Sequence, residues 1–89
     1  MIKNKIDLDE ILDTVINKVS IVLYNDDHNA FGQVMLLLVH VCKMHPRQAE
    51  QCTTIVDKNG KCEIKVGSRK EVTPIYQTLL EQGLDVRME

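Results

Sequence analysis

The chain has 89 residues, of which 44% are apolar and 27% are charged; this fits one small globular domain and excludes a second. Its formal net charge is −2, without a cluster of Lys and Arg, which argues against general nucleic-acid binding. Only 3% of the residues are aromatic and none is Trp, so we expect a core built from aliphatic side chains.

The cysteines are odd in number and form no close pair: they are Cys42, Cys52 and Cys62. This pattern indicates reduced thiols and neither a disulfide framework nor a CxxC metal site. The histidines show no metal-ligand spacing either, and no Gly-rich phosphate loop is present. Apart from the interpretations of residues 25–27 given below, we predict no cofactor, no metal and no catalytic residue. The first ten residues carry acids where a signal peptide would be apolar. The longest apolar run, residues 34–39, is far shorter than the roughly 20 residues that span a bilayer. We expect a cytoplasmic protein with neither a membrane nor a nucleic-acid partner.

The N-terminal segment shows a helical pattern of apolar residues. Leu8, Ile11, Leu12, Val15 and Ile16 recur at helical spacing, and Asp7 with Glu10 resembles a capping box. We predict a short amphipathic helix over about residues 8–17. It would belong to an N-terminal extension, residues 1–18, that precedes a folded domain over residues 19–89.

A strand, a polar loop and a buried helix are predicted next. Residues 19–24 are rich in β-branched side chains and end at the polar cluster of residues 25–29, which indicates a strand followed by a loop. The apolar block over residues 31–43 is ambiguous by periodicity alone. Its Leu and Met content favours a helix, with Asn29 as the N-cap.

A second helix is predicted from Pro46, where a missing N–H costs nothing, to the stop signal at residues 59–60. We expect its inward face to contain Ala49, Cys52, Thr53, Val56 and Ile55. Alternation over residues 62–66 then predicts a second strand, closed by Gly67.

The last two elements are a helix and a strand. Ser68 and Glu71 form a capping box for a helix that runs to Gln82, although the same segment allows a fresh start at Pro74. Residues 84–88 alternate as a final strand. The order β-α-α-β-α-β predicts an α+β fold in which the helices cover one face of a small sheet.

The run Asn25-Asp26-Asp27 is the strongest candidate for chemistry, and three interpretations of it remain open. It is a polar turn that caps the next helix, a divalent metal site without EF-hand spacing, or a site for an organic ammonium group. A thiol enzyme is disfavoured because His40 and Cys42 lie two residues apart on one helix and face different directions.

The segment VSIVLYNDD at residues 19–27, followed by an apolar helix, resembles the ClpS adaptor family. The segment IVDKNGK at residues 55–61 and the third helix extend the similarity to residues 18–89. The resemblance implies a three-stranded antiparallel sheet packed against three helices. It also implies an adaptor and not an enzyme, one that binds the bulky hydrophobic N-terminal residues (N-degrons) of substrates and delivers them to a Clp AAA+ unfoldase of the ClpA or ClpC type.

The resemblance also implies site residues. Those that would bind the substrate α-amino group are Asn25, Asp26, Asp27 and Asp57. Those that would form the hydrophobic pocket or its rim are Asn29, Phe31, Val34, Thr53, Val56 and Leu84. Those that would dock on the unfoldase are Lys70, Glu71 and Ile75, although the family has other residue types at Lys70 and Ile75. The chemistry is consistent, because an α-amino group of pKa about 7.7–8 is mostly ammonium at neutral pH and needs acceptors.

The chain departs from the family pattern inside this set. Asp57 stands where the family has His, and three crowded acids are expected to raise the proton affinity of at least one. Phe31 and Thr53 stand where the family has Met, which reshapes the pocket. An alternative is therefore a diverged regulator that binds the unfoldase and has lost or altered N-degron recognition. Apolar Leu36 and Val39 on the first helix imply cover by the N-terminal extension or self-association.

Overall fold

The computed structural model of the protein describes residues 7–9, 11–12 and 17–89. Its elements follow the predicted order β-α-α-β-α-β. The strands are β1 (Lys18–Tyr24), β2 (Lys61–Ser68) and β3 (Val86–Met88), and the helices are α1 (Phe31–His40), α2 (Pro46–Asn59) and α3 (Arg69–Glu81).

The sheet has three strands in the order β2-β1-β3, and β1 is antiparallel to both neighbours. Three consecutive residues of β1, Ile21, Val22 and Leu23, are buried, as is typical of a central strand. Ile21 pairs with Lys65 whereas Val22 pairs with Glu63, so β2 carries one extra residue, Ile64, as a bulge. The predicted α+β fold with a three-stranded antiparallel sheet is confirmed.

The core lies between the sheet and the helices. Helices α2 and α3 contact the strands, and α1 packs against α2. The largest fully buried side chains are all aliphatic: Ile21, Leu23, Leu38, Leu79 and Val72. Aliphatic side chains therefore fill the core, as the low aromatic content predicted.

Helix α1 is shorter than the predicted range of 31–43, since it ends at His40. Beyond it Lys43 adopts a left-handed backbone with φ of 59°, which a helix cannot contain. The turn allows Cys42 and Met44 to enter the core before α2 begins. The apolar run that suggested a longer helix is thus explained by burial in a loop.

Helix α2 begins and ends where the sequence predicted. Pro46 is its first residue, and Gly60 follows its last with a left-handed φ of 95°. Ala49, Cys52, Thr53 and Val56 are buried on the inward face. The prediction for Ile55 was wrong, because this residue lies outside the inward face of the helix and is 41% exposed.

Helix α3 begins at the predicted Ser68 N-cap, since the N–H of Glu71 donates to the Ser68 hydroxyl at 3.1 Å, which is the Ser68 half of the predicted capping box. The alternative start at Pro74 was wrong, because Pro74 lies inside α3. After α3, Gly83 adopts a φ of 85°, as expected of a residue that ends a helix. The chain then enters β3.

The predicted N-terminal helix falls partly on described residues. Leu8, Asp9, Ile11 and Leu12 are helical, and the N–H of Asp9 donates to the Asp7 carboxylate at 3.0 Å. Residues 10 and 13–16, on which the rest of that prediction falls, lie outside the described residues. Within residues 7–9, 11–12 and 17–89, no helix combines the length and the apolarity that a membrane span requires.

The adjacent residues Leu79 and Leu80 of α3 provide a test of the core. Leu79 is 0% exposed and Leu80 is 45% exposed. We expect Leu79→Ala to lower the free energy of unfolding by about 2–5 kcal/mol, because it removes buried methyl groups and leaves a cavity. Leu80→Ala should change it by less than about 0.5 kcal/mol. Urea denaturation followed by circular dichroism measures both, and equal effects would show that α3 is not packed as described.

Candidate functional site

The loop between β1 and α1 is organised by one carboxylate, that of Asp26. Its Oδ1 accepts hydrogen bonds from the backbone N–H groups of His28 at 3.0 Å and Asn29 at 2.8 Å. Its Oδ2 accepts one from the Asn29 side-chain amide at 2.9 Å. Charge-assisted hydrogen bonds of this kind are stronger than neutral ones, so they stabilise this conformation of the loop.

The protonation of Asp26 follows from these contacts. Its side chain is only 11% exposed, and burial by itself would raise its pKa. The hydrogen bonds from Asn29 and His28 outweigh burial, and the pKa of Asp26 is lowered from its ordinary value. The loop therefore keeps this stabilisation at neutral pH and loses it only as the pH falls through the lowered pKa.

Asn29 does not cap α1, contrary to the prediction from sequence. The N-cap position is Ala30, which makes no side-chain capping bond. The Asn29 amide instead donates to Asp26 and to the backbone carbonyl of Gly83 at 2.9 Å. The physical reason is that α1 begins at Phe31, which places Asn29 one residue before the N-cap. Its side-chain NH2 ties the β1–α1 loop to the turn before β3.

A cavity of about 80 Å³ opens beside this loop, between the end of β1, the start of α1 and the C-terminal half of α2. The residues that line it are Leu23, Tyr24, Asn25, Asp26, Asn29, Phe31, Val34, Thr53, Val56 and Asp57. Its lining is divided by chemistry. Oxygen acceptors come from Asn25, Asp26 and Asp57, and apolar walls come from the valines and Phe31.

Backbone contacts place the acceptors together. The N–H of Asn25 donates to the carbonyl of Gly60 at 2.8 Å, so the end of β1 lies against the end of α2. Asp57 is four residues after Thr53 and shares its face of the helix. The Thr53 hydroxyl donates to the Ala49 carbonyl at 2.7 Å. Thr53 therefore brings no unsatisfied polar group into the cavity.

Two of the residues predicted for the site do not line the cavity. The Asp27 side chain is fully exposed, with its Oδ1 at 3.8 Å from Nδ1 of His28. The predicted crowding of three carboxylates was therefore wrong, because Asp27 faces solvent and the pKa of Asp26 is lowered instead of raised. Leu84 is buried in the main core.

Sequence reasoning missed Leu23 and Tyr24, which also line the cavity. Their position at the end of β1, directly before Asn25, was the signal that pointed to them. The Tyr24 hydroxyl donates to the Glu89 carboxylate, and the Arg87 guanidinium lies 4.3 Å from the ring centroid. The hydrogen bond to Glu89 raises the pKa of Tyr24. Tyr24 is thus held as a neutral phenol by β3 and the residue after it.

The cysteines do not form a reactive centre. Burial raises the pKa of Cys42 to about 11, and burial with a hydrogen bond to Cys52 raises that of Cys62 to about 11. Thiols with such pKa values are weak nucleophiles at neutral pH. Within the part of the chain that the structure describes, no three His, Cys, Asp or Glu side chains converge as metal ligands would.

The residues predicted for partner contacts lie away from the cavity lining. Lys70 and Glu71 are exposed in the first turn of α3, whereas Ile75 is partly buried against the core. On α1, Leu36 is exposed and Val39 is partly buried.

Comparisons with known proteins agree with this architecture. Among solved structures, the chain is similar to ClpS2 of Agrobacterium tumefaciens bound to L-phenylalaninamide, with a TM-score of 0.68 and 19% sequence identity, over 82% of this chain and 95% of that one. At this identity the likeness shows the fold alone. No curated protein matches the sequence.

A family model described as "ATP-dependent Clp protease adaptor protein ClpS" matches residues 16–87. The match spans most of the chain and confirms the resemblance carried by the Asn25-Asp26-Asp27 segment. The protein therefore belongs to the ClpS family, whose members are ATP-dependent Clp protease adaptors and not enzymes.

Proposed function

We propose that this protein binds the amino-terminal residue of substrate proteins whose first side chain is bulky and apolar, and delivers those substrates to a Clp AAA+ unfoldase. The observation that carries the proposal is the divided cavity, in which oxygen acceptors and apolar walls lie side by side. An amino-terminal residue has the matching pair of groups, an ammonium and a side chain. The bound L-phenylalaninamide of the similar ClpS2 structure is a ligand of this class.

The α-ammonium group would be held mainly by Asp57 and Asn25. A carboxylate offers about four acceptor positions, and the loop already occupies three on Asp26. Asp57 and Asn25 line the same cavity, and no described residue forms a side-chain hydrogen bond or ion pair with either. Asp26 contributes its remaining lone pair and its charge. Asp27, predicted for this role, contributes charge only, from its exposed position.

The apolar side of the cavity would bind the side chain of the first substrate residue and select it by size and polarity. The cavity volume of about 80 Å³ is several times the roughly 10–15 Å³ that a single water needs. It therefore admits a side chain of several non-hydrogen atoms. Burial of such a side chain contributes about 1.5–3 kcal/mol, enough to select it over a small residue. The Val34 and Val56 side chains supply fixed walls, and buried Leu84 would support the cavity as part of the core.

Delivery requires a second surface. We propose that residues 19–89 form the adaptor domain and that Lys70, Glu71 and Ile75, at the start of α3, dock on an unfoldase of the ClpA or ClpC type. Exposed Lys70 and Glu71 are suited to charged contacts, which govern association rate and specificity. Residues 1–18 would be an extension to this domain, and the proposed location is the cytoplasm.

The alternative, a diverged regulator that docks on the unfoldase without reading degrons, is favoured by one observation. The acceptor at the end of α2 is Asp57, a carboxylate in place of the family's His. The two functions differ in whether a free amino-terminal residue binds at all.

A peptide panel decides between these functions. We expect fluorescent peptides that begin with Leu, Phe, Tyr, Trp or Met to bind at least about tenfold more tightly than matched peptides beginning with Ser, as the burial free energy requires. Fluorescence anisotropy measures the affinities, and N-acetylated versions control for the amino group. Absence of binding at high micromolar protein would reject the degron function and leave the regulator.

Two carboxylates that differ in position provide a second test. Asp57→Asn should weaken peptide binding about tenfold, because hydrogen bonds to charged groups contribute about 1.5–3 kcal/mol and partial exposure reduces this. The matched control Asp27→Asn, which removes a fully exposed carboxylate, should change affinity by less than about twofold. If both substitutions act equally, the acceptor is not Asp57 and the site responds only to net charge.

The pH dependence of binding above neutrality follows from the substrate amine. The lowered pKa of Asp26 and the raised pKa of Tyr24 keep both groups in one protonation state between pH 7 and pH 9. The substrate amine, of pKa about 7.7–8, loses its proton within this range. Affinity measured by anisotropy should therefore fall as the pH rises past 8. Constant affinity from pH 7 to 9 would mean that the neutral amine is bound.

A further inference from the structure

A second depression lies on the outer side of α2, next to the cavity. Its volume is about 410 Å³, and it is lined by Phe31, Glu50, Gln51, Thr54 and Ile55. We call it the outer groove. Apart from Phe31, none of its residues belongs to the cavity lining. Phe31 and Ile55 are 44% and 41% exposed, so two large apolar side chains here leave a substantial part of their surface in water.

Helical spacing explains why the cavity and the outer groove are neighbours. Thr53 and Asp57, four residues apart, present one face of α2 to the cavity. Gln51 and Ile55, also four residues apart, present an adjacent face to the outer groove. One rigid helix therefore fixes both depressions relative to each other.

Phe31 lies where the two depressions meet, because among the described residues it is the one that lines both. Carbon atoms in contact lie about 3.5–4.0 Å apart. Two groups that contact opposite faces of the same aromatic ring are therefore about 7–8 Å apart. This distance sets which part of a bound chain reaches the outer groove.

The spacing of side chains along an extended peptide is similar to this distance. Successive side chains point to opposite sides, and residues two apart point to the same side at about 6.7 Å. If the first side chain fills the cavity, the second faces away from the protein. The third points back toward it on the far side of Phe31.

Resting on the function proposed above, we propose that the outer groove binds an apolar side chain at the third position of the substrate, so that residues one and three straddle Phe31. Such a side chain covers Phe31 and Ile55, which are otherwise exposed. The adaptor then recognises two residues of the degron. The first residue is required for binding, and an apolar third residue increases the affinity.

Peptides that differ only in their first three residues test which substrate position contacts the outer groove. The series begins Leu-Gly-Gly, Leu-Gly-Leu, Leu-Leu-Gly and Ser-Gly-Gly. We expect Leu-Gly-Leu to bind about three- to tenfold more tightly than Leu-Gly-Gly, because a half-open groove buries part of a Leu side chain. Leu-Leu-Gly should bind within about twofold of Leu-Gly-Gly, since its second side chain remains in solvent. An equal or larger gain from Leu at the second position would overturn the proposal.

Two protein variants test whether the gain in affinity arises in the outer groove. Ile55→Ser should abolish the gain of Leu-Gly-Leu over Leu-Gly-Gly and leave the affinity for Leu-Gly-Gly unchanged. The matched control Leu80→Ser, at another exposed apolar residue, should keep the gain. A gain that survives Ile55→Ser would overturn the proposal while the degron function stands. If Leu-Gly-Gly binds no better than Ser-Gly-Gly, the degron function fails and this proposal with it.

Discussion

The Asp26 carboxylate is the contact on which the candidate site depends. It gathers two backbone N–H groups and the Asn29 amide, and that amide continues to the Gly83 carbonyl. Through these bonds the β1–α1 loop is fixed to the turn before β3. Asn25 in turn is fixed to Gly60 at the end of α2. A buried carboxylate is costly unless it is hydrogen-bonded, and this one is bonded by the loop that it organises.

This arrangement changes the meaning of the three polar residues at the end of β1. The polar-turn interpretation and the ammonium interpretation were alternatives in the sequence, but the three residues have different surroundings in the structure. Asp26 forms the turn, and Asp27 is exposed to solvent. Asn25 lines the cavity together with Asp57, which comes from a distant segment. A carboxylate committed to its own loop has little capacity for a ligand. In the proposed function a second carboxylate, that of Asp57 on α2, supplies that capacity.

Much of the fold was predictable because its signals are local. The Ser68 cap, the Pro46 start and the Gly60 stop each act within a few residues, and the structure has all three. The errors arose where a distant contact decides. Asn29 is a good N-cap by type, but its amide is taken by Asp26 and Gly83. The apolar run after His40 is a loop because Cys42 and Met44 are needed in the core. The contacts of Tyr24 with Glu89 and Arg87 depend on the pairing of β3 with β1, which no local pattern shows.

The scarcity of aromatic residues also has a structural consequence. The fully buried core is aliphatic, so Phe31 and Tyr24 are not needed to fill it, and both line the cavity instead. The two side chains differ in the contacts that hold them. Tyr24 is held by Glu89 and Arg87, whereas Phe31 keeps nearly half of its surface exposed at the first residue of α1. An apolar side chain at the rim of a cavity is unfavourably exposed to water, and covering it lowers the free energy of the system. An apolar chain end that enters the cavity beside Phe31 would cover the ring and thereby contribute to its own binding.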